Sequence, residues 1–347
     1  MKVNSRKYND FIVKVVNTIE KYNLISNGDK LVLGVSGGPD SLSMLNVLND
    51  IRNDENFDLH FDIVVAHVNH LIREEAGDDK NFVDNFCKKI NVTFYFKNVD
   101  VQKIAKENKI GTEEAGRIER YRFFDEILKA TDSNKIAIAH NKNDNAETMI
   151  MNLMRGSGVT GLRGIEPKKN QLIRPLIECE RYEIEAYCKE NNLNPRIDRT
   201  NFENDYSRNK VRNIIIPYIK DEFNPNIIET LNRLSNLVSE EDDFLNSIVY
   251  KVFDEILISK EDMRIELDLK KFNNQEKVIK SRLLLYTISE LLGTTKNIEK
   301  QNIEDIIRLC ENNVGNKFLM PNKNLKFLIK DHKIIVEVII NWDIFYI

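Results

Sequence analysis

Between residues 30 and 155, short apolar runs alternate with longer segments of helical period, and this alternation leaves the chain very few folds. The apolar runs cover 30–35, 61–68, 92–99 and 135–139, and the helical segments cover 40–51, 76–90, 112–130 and 143–155. Strands apolar on both faces need cover on both faces, and a helix after each strand supplies it. The pattern predicts an α/β domain with a doubly wound, mostly parallel sheet and right-handed crossovers. A helix at 5–24, with Phe11, Val15, Ile19 and Tyr22 near one face, precedes the first strand, and Gly28-Asp29 make the turn between them. After Pro217 the alternation fades. Residues 227–257 read as one long helix with Leu231, Leu234, Leu237 and Val238 as its apolar stripe. Further helices are expected at 275–292 and 298–310, and short strands at 317–320, 325–329 and 333–340. Two domains are therefore expected, 1–218 and 219–347, with Pro217 and Pro225 bracketing the boundary. The second is read as smaller and mainly helical with a short terminal sheet.

A length of 347 residues suits two domains, and 41% hydrophobic with 31% charged residues is ordinary globular composition. No apolar run reaches membrane-spanning length, and the first residues lack the apolar core of a secretory signal, so a cytoplasmic location is expected. The four cysteines form no C-x-x-C pair, which argues against a metal knuckle or an iron–sulfur site. The net charge of −4 rules out a global basic field. Charge is uneven, however: residues 155–220 hold 13 Lys/Arg against 9 Asp/Glu, and 317–333 hold five Lys against one Asp. Such local patches can bind phosphates on an acidic protein.

Glycine is scarce, with 13 in the chain, yet three fall within 34–38 and four within 156–164. The first cluster, Ser36-Gly37-Gly38-Pro39-Asp40-Ser41, follows a strand and opens a helix. Gly37 and Gly38 permit a tight turn and close approach of a ligand. N–H groups at the helix start and the positive end of its dipole favour phosphate. Ser36 and Ser41 offer hydroxyls, and Pro39 stiffens the turn. Asp40 suits an anion site only with a cation between, and Mg²⁺ bridging carboxylate and phosphate satisfies both. A plain helix cap would explain one Ser or Asp but not the whole set. The second cluster, Gly156-x-Gly158-x-x-Gly161, matches a dinucleotide fingerprint by letters alone, because it follows a helix rather than a strand.

Other chemistry-bearing residues fall at the expected carboxyl ends of strands, where open parallel sheets bind ligands. His67, Asn69 and His70, with Arg73, follow the second strand within reach of a nucleotide; no third ligand supports zinc at His67-x-x-His70. Arg117 and Arg120 lie one turn apart, as a phosphate clamp or as a solvated face paired with Glu113, Glu114 and Glu119. Asp144 and Glu147 lie three apart at a helix start. They read either as a capping box or as a carboxylate pair able to hold an ammonium group and take its proton. Arg208, Lys210 and Arg212 place three cations on about one turn without a neighbouring acid, in the manner of a phosphate contact.

The loop at 36–41 is not a Walker loop, since no Gly-Lys-Ser/Thr follows. It resembles the signature of the N-type ATP pyrophosphatases, or PP-loop superfamily, which implies cleavage of ATP to AMP and pyrophosphate. The ordered set of motifs resembles the tRNA(Ile)-lysidine synthase family. It comprises the loop, Ala66-His67-Val68-Asn69-His70, Gly116-Arg117-x-x-Arg120-Tyr121, His140-x-x-x-Asp144-x-Ala146-Glu147-Thr148, Arg155-Gly156-Ser157-Gly158, Asp198-x-x-Asn201 and Arg208-Asn209-x-x-Arg212. Asn143 and Asn145 stand where that family usually has Asp and Gln, and longer members carry a further small RNA-contacting domain.

The resemblance implies ATP-dependent attachment of L-lysine to C2 of the wobble cytidine in the CAU anticodon of tRNA(Ile), through an adenylated cytidine. Codon reading then changes from AUG to AUA. It implies catalytic or binding roles for Asp40, Arg120 (or Arg117), Asp144, Glu147 and Arg212. Nucleotide contacts are implied for Ser36, Gly37, Gly38, Pro39, Asp40, Ser41, His67 and Asn69, and Mg²⁺ at Asp40. The second domain is expected to contact tRNA, and the family leaves room for a homodimer. Rival readings are a tRNA thiolation enzyme on the same loop, which needs paired cysteines, and a non-catalytic ATP-binding module, which needs neither the acid pair nor the arginines.

Overall fold

A computed structural model describes residues 9–71, 76–196, 207–312 and 317–339. The helix expected from residue 5 is described from Asp10, capped by the Asn9 side chain, which accepts from the Phe11 N–H at 2.8 Å. In chain order the first part contains α1 (Asp10–Lys21), β1 (Lys30–Gly34), α2 (Pro39–Asn53), β2 (Asp62–Asn69), α3 (Ala76–Lys89), β3 (Thr93–Asn98), α4 (Val101–Asn108), α5 (Thr112–Ala130), β4 (Lys135–Ala137) and α6 (Lys142–Met154). There follow α7 (Val159–Leu162), β5 (Lys168–Lys169), β6 (Leu172–Ile173), α8 (Arg181–Glu190), α9 (Ser207–Lys210), a π-helical turn (Val211–Ile215) and α10 (Ile216–Glu222).

The six strands form one sheet in the order β3-β2-β1-β4-β6-β5, parallel except for the last pair. Alternate residues of β1 enter different cores. Leu31 and Leu33 pack with Phe11, Val15, Leu45, Leu48 and Tyr187 from α1, α2 and α8. Val32 packs on the other face with Val64, Ile136 and Phe123, Phe124 and Ile127 of α5. Both faces are thus buried, as the apolar runs required, and each fully buried aliphatic side chain contributes about 2 kcal/mol. At Gly34 an added Cβ would lie 2.5 Å from the Phe124 ring, so glycine lets α5 close on β1.

The second part contains α11 (Ile227–Ile256), β7 (Leu257–Glu261), β8 (Arg264–Asp268), α12 (Leu269–Asn273), α13 (Lys277–Leu292), α14 (Lys300–Glu311), β9 (Lys317–Asn322), β10 (Leu325–Lys330) and β11 (Lys333–Val338). Its sheet is antiparallel in the order β7-β8-β11-β10-β9, larger than the expected strands because the β7–β8 hairpin joins them. Ile265, Leu267, Phe327, Ile334 and Val336 pack with Leu283 and Leu284 of α13 and Ile306 of α14. Contacts divide the chain into Met1–Val238 and Ser239–Ile347, inside α11, whereas the sequence boundary fell at 218/219. The early part of α11 belongs with the first unit because Ile228 and Leu231 join Ala146, Ile150, Val211 and Ile216 in one cluster. The apolar stripe expected on this helix is corrected: Leu234 and Leu237 are exposed, and Asn232 and Ser235 take buried places. Among the described residues no helix is long and apolar enough to cross a membrane.

Candidate active site

Strand order reverses at β1, which lies between β2 and β4, so the loops leaving β1 and β4 part there and open a crevice. The β1 loop carries residues 36–41. Gly37 has φ +93°, a conformation that side chains with Cβ rarely adopt. Gly38 is the N-cap of α2 without a side-chain cap bond, and Pro39 takes the first helical position, where a missing N–H costs nothing. Ser41 serves the loop itself. Its Oγ accepts from the Ser36 and Gly37 N–H groups at 3.2 Å each, donates to the Gly38 carbonyl at 3.1 Å, and lies 3.2 Å from Ser36 Oγ. An uncapped, rigid helix start is what an anion can complete.

The β4 loop faces it. Asn141 caps α6: its Oδ1 accepts from the Asp144 N–H, and Asp144 Oδ2 accepts from the Asn141 N–H, both at 3.0 Å. The capping box is therefore Asn141/Asp144, one turn earlier than the Asp144/Glu147 spacing had suggested. The same Asn141 donates from Nδ2 to Asp40 Oδ1 at 2.9 Å and ties the two loops together. Burial, and then the nearby Asp144 charge, push the Asp40 carboxyl up to about 6.

Asp144 and Glu147 meet two guanidiniums. Arg208 donates from Nε to Glu147 Oε2 at 2.8 Å and from Nη2 to Asp144 Oδ1 at 3.1 Å. Arg212 donates from Nε to Glu147 Oε1 at 2.6 Å, and from Nη2 to Glu147 Oε2 at 2.9 Å and Asp144 Oδ1 at 3.1 Å. Burial works to raise the Asp144 carboxyl, but the cations, Arg208 foremost, outweigh it and hold it below its usual range. The cationic turn thus has acidic partners that no local reading displayed. The π turn lies where the chain passes from α9 to α10, and such bulges often mark functional places.

His67 Nδ1 donates to the Val35 carbonyl at 2.8 Å, which fixes β2 to the base of the loop; among the described residues its buried Nε2 has no hydrogen-bond partner. Asn69 Oδ1 accepts from the Leu71 N–H at 3.0 Å. Arg120 donates from Nη2 to His70 Nε2 at 3.3 Å, and burial, with Arg120 next, pushes the His70 imidazole down to about 4. Arg117 lies over the Tyr121 ring instead, 5.7 Å from its centroid. Among the described residues no group of three His, Cys, Asp or Glu side chains is placed to hold a metal ion. Arg73, Asp198 and Asn201 lie outside the described residues.

Residues 5–219 match the PP-loop domain family. The chain is 43% identical over 335 residues to the tRNA(Ile)-lysidine synthase of Clostridioides difficile, covering 95% of this chain and 72% of that protein. It is 38% identical over 259 residues to that of Petrotoga mobilis, covering 75% of this chain and 81% of that protein. This chain belongs to the tRNA(Ile)-lysidine synthases, within the PP-loop family. The synthase of Caldanaerobacter subterraneus subsp. tengcongensis is 44% identical over 312 residues, 89% of this chain, and the chain spans 66% of that protein's length. The fold is shared with the U34-tRNA thiolase NcsA from Methanococcus maripaludis, at a TM-score of 0.53 and 19% identity over 66% of this chain and 79% of that one.

Two residues joined to this cluster, Asn141 and Arg174, escaped the sequence reading, as did the pairing of a third. Asn141 was signalled by its N-cap spacing to Asp144. Arg174, which donates from Nε to His140 Nδ1 at 3.1 Å, had no signal, being a lone basic residue after a two-residue strand. Arg208 was seen as a cation but not as the partner of Glu147. The glycines at 156–164 follow a helix rather than a strand. Gly156, at φ +73°, follows α6, and Gly164, at φ +67°, leaves room for Asn145, whose Oδ1 accepts from the Ile165 N–H at 2.6 Å. Asn143 Oδ1 accepts from the Arg181 N–H at the start of α8, at 2.9 Å.

Proposed function

We propose that this chain uses ATP to join L-lysine, through its side-chain amine, to C2 of the wobble cytidine of a CAU-anticodon tRNA(Ile), releasing AMP and pyrophosphate. The observation that carries the reading is the Asp40–Asn141–Asp144 bridge, which sets the anion-ready start of α2 against a buried acid pair. Cytosine O2 attacks the α-phosphate, and pyrophosphate leaves along the loop. The amine then attacks C2, and the C2–O bond breaks with AMP as leaving group. Free lysine has a side-chain pKa of about 10.4, so a carboxylate must hold the ammonium and take its proton before attack. Asp144 and Glu147 are assigned that task. Arg120 and Arg212 are assigned to phosphate charge, and His67 and Asn69 to the nucleotide.

Asp40 offers one carboxylate beside the helix start, with a second, Asp144, near enough to raise its pKa. That donor set fits Mg²⁺, which is usually held by one or two carboxylates together with phosphate oxygens and water. Bound there, the ion would neutralise charge on the departing pyrophosphate. Sulfur transfer finds little support, because all four cysteines are buried and burial pushes the thiols of Cys87, Cys179 and Cys310 up to about 12.

The test is direct. The chain is incubated with ATP, labelled lysine and an unmodified CAU transcript. Label in the RNA, matched by equal pyrophosphate, is expected. Pyrophosphate release without label in RNA would assign a different nucleophile and overturn the reading.

A further inference from the structure

The acid pair assigned to lysine is already fully engaged. Asp144 Oδ2 accepts from the Asn141 N–H, and Asp144 Oδ1 accepts from both Arg208 and Arg212. The two oxygens of Glu147 take three guanidinium N–H groups. Two acids and two guanidiniums sum to no net charge. An arriving ammonium therefore finds cations at the hydrogen-bonding positions it needs.

Cover is also one-sided. The Glu147 side chain is 1% exposed, whereas those of Arg208 and Arg212 are 29% and 20% exposed. Among the described residues the arginines are thus the outer members of the cluster, with Asp144, 11% exposed, between them and Glu147. Phosphates at the start of α2 would offer these cations a competing partner, since guanidinium pairs bidentately with phosphate as readily as with carboxylate.

We infer that Arg208 is a positioning residue that holds the nucleophile's ammonium site shut until nucleotide phosphates draw the guanidiniums away and uncover Asp144 and Glu147. This rests on the reading that lysine is the nucleophile at that pair. It makes nucleotide and amino acid positively coupled, with nucleotide binding first. Binding linkage is reciprocal, so lysine must tighten nucleotide by the same factor that nucleotide tightens lysine.

The experiment titrates the full chain with L-lysine by calorimetry, alone and saturated with α,β-methylene-ATP and Mg²⁺, and repeats it with the ligands reversed. For the unmodified chain the analogue should tighten lysine about tenfold or more, with the same factor in reverse. Arg208→Gln should bind lysine about tenfold more tightly without nucleotide, and the coupling should fall towards one. Arg208→Lys, which keeps a cation there, should retain coupling. A residue that merely supports the fold would instead weaken lysine binding by the same factor in both states. That result, or a coupling of one in the unmodified chain, overturns the inference. Lysine binding in neither state, together with no labelled RNA under turnover conditions, removes the functional reading and this inference with it. Labelled RNA with uncoupled binding removes only the inference.

Discussion

The two halves of the site are built in opposite ways. The phosphate loop is local: Ser41 returns to Ser36, Gly37 and Gly38, so six consecutive residues fix its shape. The acid–guanidinium cluster is assembled from distant parts, with Arg208 and Glu147 61 positions apart and Arg212 and Glu147 65 apart. The loop's polarity comes from backbone N–H groups and a helix dipole, which substitutions barely alter. The cluster's polarity is a balance of four side-chain charges, and any ligand or substitution that removes one changes all the rest. A local device should therefore fail in one chemical step, and a distributed one should lose stability and chemistry together.

The largest expected effect breaks the loop at its charged member. Asp40→Asn keeps the shape and the contact with Asn141 but removes the carboxylate, and it should slow pyrophosphate release by about a thousandfold. It should also change how stability depends on pH. The native carboxyl titrates near 6, above its ordinary value, so its contribution is fully present below about pH 4 and is lost as pH rises through about 6. Thermal unfolding of the unliganded chain and of Asp40→Asn, compared between pH 4 and 7, should differ by this decline, because the opposite contribution of His70, held down to about 4, is common to both. An unchanged slope would mean that Asp40 is not the buried group described.

Glu147→Gln tests the distributed half. Lysine transfer should slow by about a hundredfold, with adenylation less affected, as single-turnover assays would report. Two guanidiniums would then share the single charge of Asp144, and removing one partner of a buried ion pair costs about 3 kcal/mol. Urea denaturation checks that loss. Equal slowing of both steps at unchanged stability would erase the difference between the two halves.

This contrast also explains what could be read in the sequence. The first four strands were legible because each is an apolar run followed by a helix, a pattern few other folds produce, whereas the two-residue strands β5 and β6 are too short to leave a period. The loop was legible because its whole geometry lies in adjacent letters. Arg174, and the pairing of Arg208 with Glu147, were not, since no period or spacing records which distant side chains a sheet edge brings together. The β7–β8 hairpin, which begins where the helix expected over 227–257 ends, was missed because its two five-residue strands, Leu257–Glu261 and Arg264–Asp268, are short and interrupted by charged residues. Leu234 and Leu237 misled in the other direction: helical spacing marks an apolar stripe, but the contact with Asn145 selected Asn232 and Ser235 for burial.

A smaller effect is expected at the base of the loop. Gly34→Ala places a Cβ 2.5 Å from a Phe124 ring carbon, and overpacking of this kind costs about 2 kcal/mol. Phe124→Leu in the same chain should recover part of that loss in a thermal unfolding assay, because the clash is with the ring. If it recovers none, the strain lies in the β1 backbone, and the loop is less independent of its surroundings than its hydrogen bonds imply.

The smallest effect is expected where the family pattern and this chain differ. Asn143→Asp restores the usual carboxylate of the family beside Asp144. Asn143 Oδ1 accepts from the Arg181 N–H, and a carboxylate can keep that bond while gaining from the positive start of α8. Against this stands repulsion from Asp144, so stability should change by no more than about 0.5 kcal/mol. The Mg²⁺ concentration giving half-maximal pyrophosphate release should shift by less than about threefold, since the residue's contact is a helix cap rather than the phosphate loop. A shift well beyond that would put position 143 among the ligands of the ion. The acid side of the crevice would then belong to the phosphate half of the site, and the division between a local and a distributed half would have to be drawn elsewhere.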